Sequence, residues 1–488
     1  MVEQNDHLDR VLWSWTNEDF FQVRDASNGI FVSGGLGSGK TSAVGNLIAG
    51  HYMLNGFGFL VLTAKENEKD LWIKYCRQYG REKDLIVFSP NSGHYFNFFE
   101  EELLRNDKGK AIAHNIADVL MNVIKSGARD SQESDKAFWD STLQQLIVNA
   151  VDLCLLTQNR KFEHVYKIIQ SAPRNNQEIH NEKWRVSSKC FRLIEHTAFH
   201  LDKADDTPEN IKLKRRLQNI EDFFLESWIN LSEKTRSIVE QMFFGFGDRF
   251  MREPLRELFS GETTVRPDDT FKGKIIIIDL PVLVYDKTGR DAQVLWKYLW
   301  QRTIQRRKIS NNSRPVCLWV DEFQNFINPD YDIQFQSIAR EYRACTVYIT
   351  QNLPNFYLNA GGGEIGKTRF KALAGNLGTK FFLANSDPET NEYASELIGK
   401  NWQWTNNEGQ TFGEKNSSSQ GKSEILTNIV EPSDFTRLKT GGSENDFMVQ
   451  AYVHRQGKTF KYYRQYQNGE LEVIEESHKL THLKQNVL

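Results

Sequence analysis

The sequence has little that would staple it or anchor it. Five cysteines in 488 residues, Cys76, Cys154, Cys190, Cys317 and Cys345, stand far apart with no CxxC spacing. That excludes a disulfide framework, offers no zinc pattern and fits a reducing cytoplasm. The first ten residues, MVEQNDHLDR, contain no apolar stretch of the kind a signal peptide needs. The longest apolar segments, LIVNAVDLCLL and IIIIDLPVLV, each carry an Asp and fall well short of the ~20 residues of a spanning helix. The expectation is a cytoplasmic chain without a membrane segment, peripheral at the inner membrane only through a partner. Neither sign of charge dominates: the formal net charge is -3, so contact with nucleic acid would need local basic patches rather than a global positive field.

Hydrophobic residues make up 39% and charged residues 26%, the balance of a globular protein rather than a disordered one. The length suggests two or three packed units. One short run carries specific chemistry. Gly34 to Thr41, GGLGSGKT, fits G-x-x-x-x-G-K-[ST] between the strand-like NGIFVSG and the helix-like KTSAVGNLIAGHYML. Glycines let the backbone wrap so that its N–H groups face phosphate oxygens, and the helix start adds a favourable dipole. Gly34, Gly35, Leu36, Gly37, Ser38, Gly39, Lys40, Thr41 and Ser42 are therefore the expected ATP-binding residues. Lys40 would supply charge to the β and γ phosphates and Thr41 a hydroxyl to Mg²⁺.

The metal needs an acidic partner at the end of a neighbouring strand. VCLWVDEF (Val316 to Phe323) supplies it, with Asp321 on the Mg²⁺ and Glu322 orienting or deprotonating the attacking water. A DE pair after a strand is otherwise a solvated turn; the upstream phosphate loop gives it a role. ACTVYITQ then ends in Gln351, an amide at the strand end where open α/β sheets bind ligands.

The apolar pattern divides the chain. FGFLVLTAK, NEKDLWIKYCRQYG and DLIVFSP continue a strand–helix alternation that predicts a mostly parallel sheet. Helical spacing without strands then fills 101–262. Alternation resumes with the strand-like GKIIIIDLPVLV, the helix DAQVLWKYLWQRTIQRRK, RPVCLWVDE, the helix DIQFQSIAREYR, CTVYITQN, GTKFFLAN, DFMVQAYVH and TFKYYRQY. NNEGQTFGEKNSSSQGKSE (406–424) reads as a flexible surface loop. The expected division is a nucleotide-binding domain in two parts, 1–100 and 263–470, an inserted all-helical domain, 101–262, and a C-terminal tail, 471–488.

Together these motifs resemble the FtsK–HerA superfamily of hexameric DNA pumps, most of all the TraG/TraD-type coupling proteins of conjugation and type IV secretion. WVDEFQNF is similar to that family's acidic motif, and SIAREYRACTVYITQNLP to its next one, with Arg340 eleven positions before Gln351. KAFWDSTLQQLIVNAV, with Phe138 and Trp139, resembles a helix of the family's all-helical domain. LSEKTRSIVEQM and NLGTKFFLANSDPETNEYASELIGK resemble later segments. Three features depart from the pattern. The N-terminal membrane-spanning helices of these relatives have no counterpart here. The second strand ends in Thr63-Ala64-Lys65, so only Lys65 of an Asp-Pro-Lys-like sequence carries over. Arg343 stands where relatives often have Gly.

The resemblance implies a RecA-like P-loop α/β fold with an all-α insertion, ATP and Mg²⁺ as cofactors, and a homo-oligomeric, hexameric ring that moves DNA. Lys40, Glu322, Gln351 and Arg340 would be its catalytic residues. Arg340, Arg343, Lys234 and Arg236 are the candidate trans-acting fingers. KLKRR (212–216) and QRTIQRRK (301–308) are the densest basic clusters, either DNA tracks or exposed helix faces. A relaxase, a nuclease or a secretion-channel component would be fitting protein partners. A nucleotide-controlled assembly module that recruits an effector without moving DNA is the alternative; a small-molecule kinase lacks a visible acceptor site and lid.

Overall fold

In short apolar runs bounded by turns, successive side chains point to opposite faces, so a run apolar at every position must be covered on both sides. Seven mostly apolar runs form the centre of the protein. They are β1 (Ile30–Ser33), β2 (Gly58–Leu62), β3 (Leu85–Phe88), β4 (Ile275–Ile278), β5 (Val316–Val320), β6 (Ala344–Thr350) and β7 (Thr379–Leu383). The computed structural model describes residues 7–104, 112–127, 136–411, 417–465 and 471–486. In it these strands pair in parallel, and two further strands, β8 (Met448–Arg455) and β9 (His478–Lys484), extend the sheet antiparallel beyond β7. The order is β9-β8-β7-β1-β6-β5-β2-β4-β3.

The pleat splits the core in two. Phe31, Leu60, Leu62, Ile276, Leu318 and Tyr348 face one way; Ile30, Val32, Val61, Ile277, Trp319 and Val347 face the other. The first face is continuous with the helices that follow β3, through Phe88 and Phe96 packed on Trp296 at centroid distances of 5.1 and 4.3 Å. Trp296 belongs to α3 (Val282–Gln305), which is interrupted at Asp286. Earlier come α1 (Asn46–Leu54), entered through a π-type turn at Lys40–Gly45, and α2 (Glu68–Gln78). α4 (Pro329–Ile338) lies between β5 and β6.

Between β3 and β4 the described residues form helices and no strand, from Phe98–Leu104 through Lys136–Leu156 to Leu255–Ser260. The chain breaks here into many short helices because polar residues cap their starts. Asn175, Asn181, Ser188, Thr207 and Ser232 each accept a hydrogen bond from the backbone N–H three residues on. Aromatic residues fill the interior, Phe162 meeting Phe243, Phe246 and Phe250 at about 6 Å. Phe138 is an exception and stays exposed at the surface.

The structure corrects four expectations. GKIIIIDLPVLV is not one strand: β4 stops at Ile278, and the chain turns at Pro281 so that Val282 already begins α3. The helix expected through Arg343 ends at Ile338, leaving Arg340 in a turn. The polar stretch expected as a loop at 406–424 lies in a ribbon of strands Lys400–Thr411 and Ser417–Asn428, with residues 412–416 outside the described residues. Antiparallel pairing is made by the backbone, so polar side chains do not prevent it. The stretch expected as a tail at 471–488 holds two strands in its described residues: Leu471–Glu476 pairs with Phe460–Gln465, and β9 joins the sheet.

Candidate nucleotide site

β1, β6 and β5 are neighbours, so their C-terminal ends bring three separate motifs to one rim. The phosphate loop leaves β1. Gly37 and Gly39 sit at φ +72° and +88°, and a Cβ on Gly39 would come within 2.5 Å of Val449 Cγ2 in β8. Glycine is required there by both backbone and neighbour. Gly35 N–H donates to Ala384 O at 2.7 Å, tying the loop to the end of β7. Among the described residues Ser38 Oγ is buried without a partner, a polar atom of the loop with its hydrogen-bonding capacity unused. Leu36 is exposed at the loop tip. Ser42 Oγ accepts from Gln485 Nε2 at 3.1 Å, and Ser42 O accepts from Asn486 N–H at 3.0 Å, so the segment after β9 braces the helix behind the loop.

Lys40 Nζ donates to Gly34 O at 2.7 Å and Gly35 O at 2.8 Å, which holds the ammonium over the loop. Burial lowers its pKa, opposed by the charges of Asp321 and Glu322. Thr41 Oγ1 donates to Asp321 Oδ2 at 2.9 Å, joining β1's loop to the end of β5. A hydroxyl and one carboxylate, with phosphate oxygens and water, make the oxygen set that suits Mg²⁺. The residues fit the ion. Burial and the neighbouring Glu322 raise the Asp321 pKa, and a cation at this place would reverse that pressure.

Glu322 has a left-handed backbone, φ 50° and ψ 49°. This conformation is uncommon for a residue with a Cβ and turns the side chain back across the rim. Its Oε1 accepts from Lys65 Nζ at 2.6 Å and from Gln351 Nε2 at 2.9 Å, and its Oε2 accepts from Gln324 Nε2 at 2.8 Å. Burial would raise its pKa, but these bonds outweigh burial and hold the carboxyl below the usual Glu range. Gln351 thus meets Glu322 at the end of β6, and its carbonyl is held by Asn385 Nδ2 at 2.9 Å.

Arg340 is not brought to this site. It is exposed in the turn before β6, whereas Gln351 follows the other end of that strand; seven residues of strand separate the two rims, roughly 23 Å. Arg343, at φ +52°, donates to Asn311 O and Ser313 O on the same far rim. Lys234 and Arg236 lie at the start of the helix Glu233–Phe250. The basic clusters are largely engaged within the chain. Arg306 forks onto Glu102, Arg302 donates to Asn115 O, Lys214 pairs with Asp206, and Arg216 pairs with Asp152.

Sequence reasoning missed three groups. Lys65 stood only as a remnant of a strand-end motif, yet it is the direct partner of Glu322. Gln324 locks that carboxylate from below and accepts from Thr350 Oγ1 at 2.8 Å. Glu68, at the start of α2, accepts from Ala64 N–H at 2.8 Å and keeps its other oxygen buried without a partner among the described residues. Burial and Asp321 push its carboxyl up to about 8. An acid at a helix start just after a strand end is the signal that would have found it.

Residues 315–440 match the family described as the TraM recognition site of TraD and TraG, a stretch that begins at β5 and includes Asp321, Glu322 and Gln351. A comparison with curated proteins gives no match. Among solved structures the chain is similar to the bacterial conjugative coupling protein TrwBdeltaN70 in its unbound form, with TM-score 0.56 and 14% identity over 97% of this chain and 89% of that one. It is similar to TrwB in complex with ADP and Mg²⁺, with TM-score 0.53 and 13% identity over 92% and 88%. It is also similar to TrwB in complex with the ATP analogue ADPNP, with TM-score 0.52 and 14% identity over 99% and 91%. At these identities the likeness is one of fold. Among the described residues no helix is long and apolar enough to cross a membrane. With its phosphate loop, acidic pair and glutamine on one rim of such a sheet, the chain is a P-loop protein of RecA-like fold that resembles the TraG/TraD-type coupling proteins.

Proposed function

We propose that this chain is an ATP-hydrolysing, ring-forming DNA translocase that moves or recruits DNA for mobile-element transfer, packaging or defence against invading DNA. One observation carries the reading: Glu322 is held by Lys65, Gln351 and Gln324 next to a Thr41–Asp321 pair. A carboxylate kept ionised beside the metal and γ-phosphate position can orient and deprotonate water. Gln351, bonded to the same carboxylate, links that position to β6 and would report the state of the nucleotide to the rest of the chain. Lys40 would neutralise phosphate charge, Thr41 and Asp321 would hold Mg²⁺, and Glu322 would act as base.

Arg340 lies too far from this site to serve it within one chain, so its catalytic role requires the site of a neighbouring subunit, as in a ring. Residues 101–262 would be the cargo-selecting domain, inserted into a nucleotide domain formed by the flanking parts of the chain. A relaxase, nuclease or secretion-channel component is the class of protein partner this predicts.

The test is ATP hydrolysis with and without duplex or single-stranded DNA. Strong stimulation that disappears in Lys40→Ala and Glu322→Gln supports the motor. Hydrolysis indifferent to DNA favours a nucleotide-controlled assembly module. Particle images with nucleotide and DNA test the ring, and a persistent monomer there sinks the hexamer. Triplex displacement separates movement from binding.

A further inference from the structure

The rim opposite the phosphate loop carries a second concentration of charge that the nucleotide site does not use. A cavity of about 430 Å³ opens where β2, β4 and β5 begin, and its walls include Arg10, Arg307 and Arg314 with Phe271 and Asn312. Arg314 donates to Gly56 O, and a Cβ on Gly273 would touch its guanidinium at 3.0 Å, so this side chain is set in place by two left-handed glycines. Arg307 donates to Arg314 O at 2.7 Å and lies 4.4 Å over the Phe271 ring. Arg10 donates to Asn55 O at 2.9 Å, while its Nε is buried without a partner among the described residues. Arg343 stands behind Arg307.

Among the described residues none of Arg10, Arg307 and Arg314 forms an ion pair with a carboxylate; they donate to backbone carbonyls, which carry no net charge. Most arginines elsewhere in the chain that are comparably covered have an acid, such as Arg455 with Asp25 and Arg249 with Asp291. Burial, then Arg343 and Arg314, pushes the Arg307 pKa down to about 10, as like charges beside a covered guanidinium do.

We propose that this pocket is a binding site for a phosphate-bearing anion, separate from the nucleotide site. Guanidinium forks match phosphate oxygens in geometry as well as charge, and three of them around one opening can satisfy several oxygens at once. The source of the phosphate is either a nucleic-acid backbone or a small free polyphosphate. β5 runs directly from this pocket to Asp321 and Glu322, so an occupant sits on the far end of a strand that carries the acidic pair.

The experiment uses the full chain with Lys40→Ala, which removes the phosphate loop's own cation, titrated with inorganic pyrophosphate at constant ionic strength. One binding site is expected. Arg10→Gln combined with Arg307→Gln in that background should weaken it roughly tenfold or more, the loss expected for charge-assisted hydrogen bonds. Asn312→Asp places a carboxylate on an exposed wall position and should weaken binding similarly while leaving the thermal unfolding midpoint at or above its starting value. Absence of pyrophosphate binding, or binding unaltered by Asn312→Asp and by the double arginine change, overturns the site. A short single-stranded oligonucleotide that displaces pyrophosphate assigns the phosphate to nucleic acid; pyrophosphate retained against the oligonucleotide assigns it to a free polyphosphate.

Discussion

Glu322 sits in a left-handed backbone and accepts from three side chains on three different elements. So much fixation around one carboxylate makes its charge more important than its shape. Glu322→Gln keeps the shape, and turnover is expected to fall on the order of a hundredfold or more while nucleotide still binds. Single-turnover hydrolysis beside a fluorescent-nucleotide titration checks this, and parallel loss of binding would show the residue to be structural. Gly39 tests the loop instead. With φ +88° and Val449 in the way, Gly39→Ala should lose about 1–3 kcal/mol of stability or distort the loop enough to abolish nucleotide binding. A variant that melts normally and binds nucleotide normally would refute that account.

Two elements that carry no site residue are joined by a buried charge pair. Lys297 of α3 donates to Asp332 Oδ2 of α4 at 2.5 Å, and Asp332 also accepts from Gln301 and from the Asn328 N–H. Burial lowers the lysine's pKa, and the aspartate opposes it. Lys297→Met leaves Asp332 uncompensated and should cost about 3–5 kcal/mol in urea unfolding, with part recovered by adding Asp332→Leu. At the other edge of the sheet, Lys380 in β7, His454 in β8 and His478 in β9 face one another in register. Burial, Lys380 and His478 lower the His454 pKa to about 4. The folded state therefore binds fewer protons than the unfolded state between about pH 4 and the ordinary histidine value of about 6.5, and stability must decline as pH falls through that window. His454→Gln should flatten the decline by about 1–2 kcal/mol, allowing for partial exposure; an unchanged slope in melts across that range would refute it.

These elements also show how much the sequence disclosed. Ile275 to Ile278 and Val316 to Val320 are apolar at every position, so their burial on both faces was legible from the order of residues alone. The phosphate loop, the acidic pair and Gln351 were legible for the same reason, each being a polar break at the end of such a run. The end of α4 at Ile338 was not, because DIQFQSIAREYR has no Gly or Pro to mark a stop there. Nor was the ribbon at 400–428, whose pairing belongs to the backbone, nor the short strands Val11–Ser14 and Phe20–Gln22, too brief to show a period. Lys65 and Gln324 became visible only when β2, β5 and β6 lay side by side.

At the scale of the whole molecule, the sheet is finished by a strand from the far end of the sequence. β9 covers β8, and Gln485 and Asn486 reach Ser42 and Asn46 at the phosphate-loop helix. Removing residues from Gln485 onward should leave the fold intact but weaken nucleotide binding several-fold, since a lost hydrogen bond is worth about 1 kcal/mol. A titration comparing the two chains checks this, and equal affinities would mean that the brace is idle. The contact also sets an order of events. Ser42 is made 443 residues before its partner Gln485. At translation speeds of roughly 5–20 residues per second, the loop waits tens of seconds for its brace. The phosphate loop of a nascent chain thus stands unbraced until the residues that follow β9 have been read.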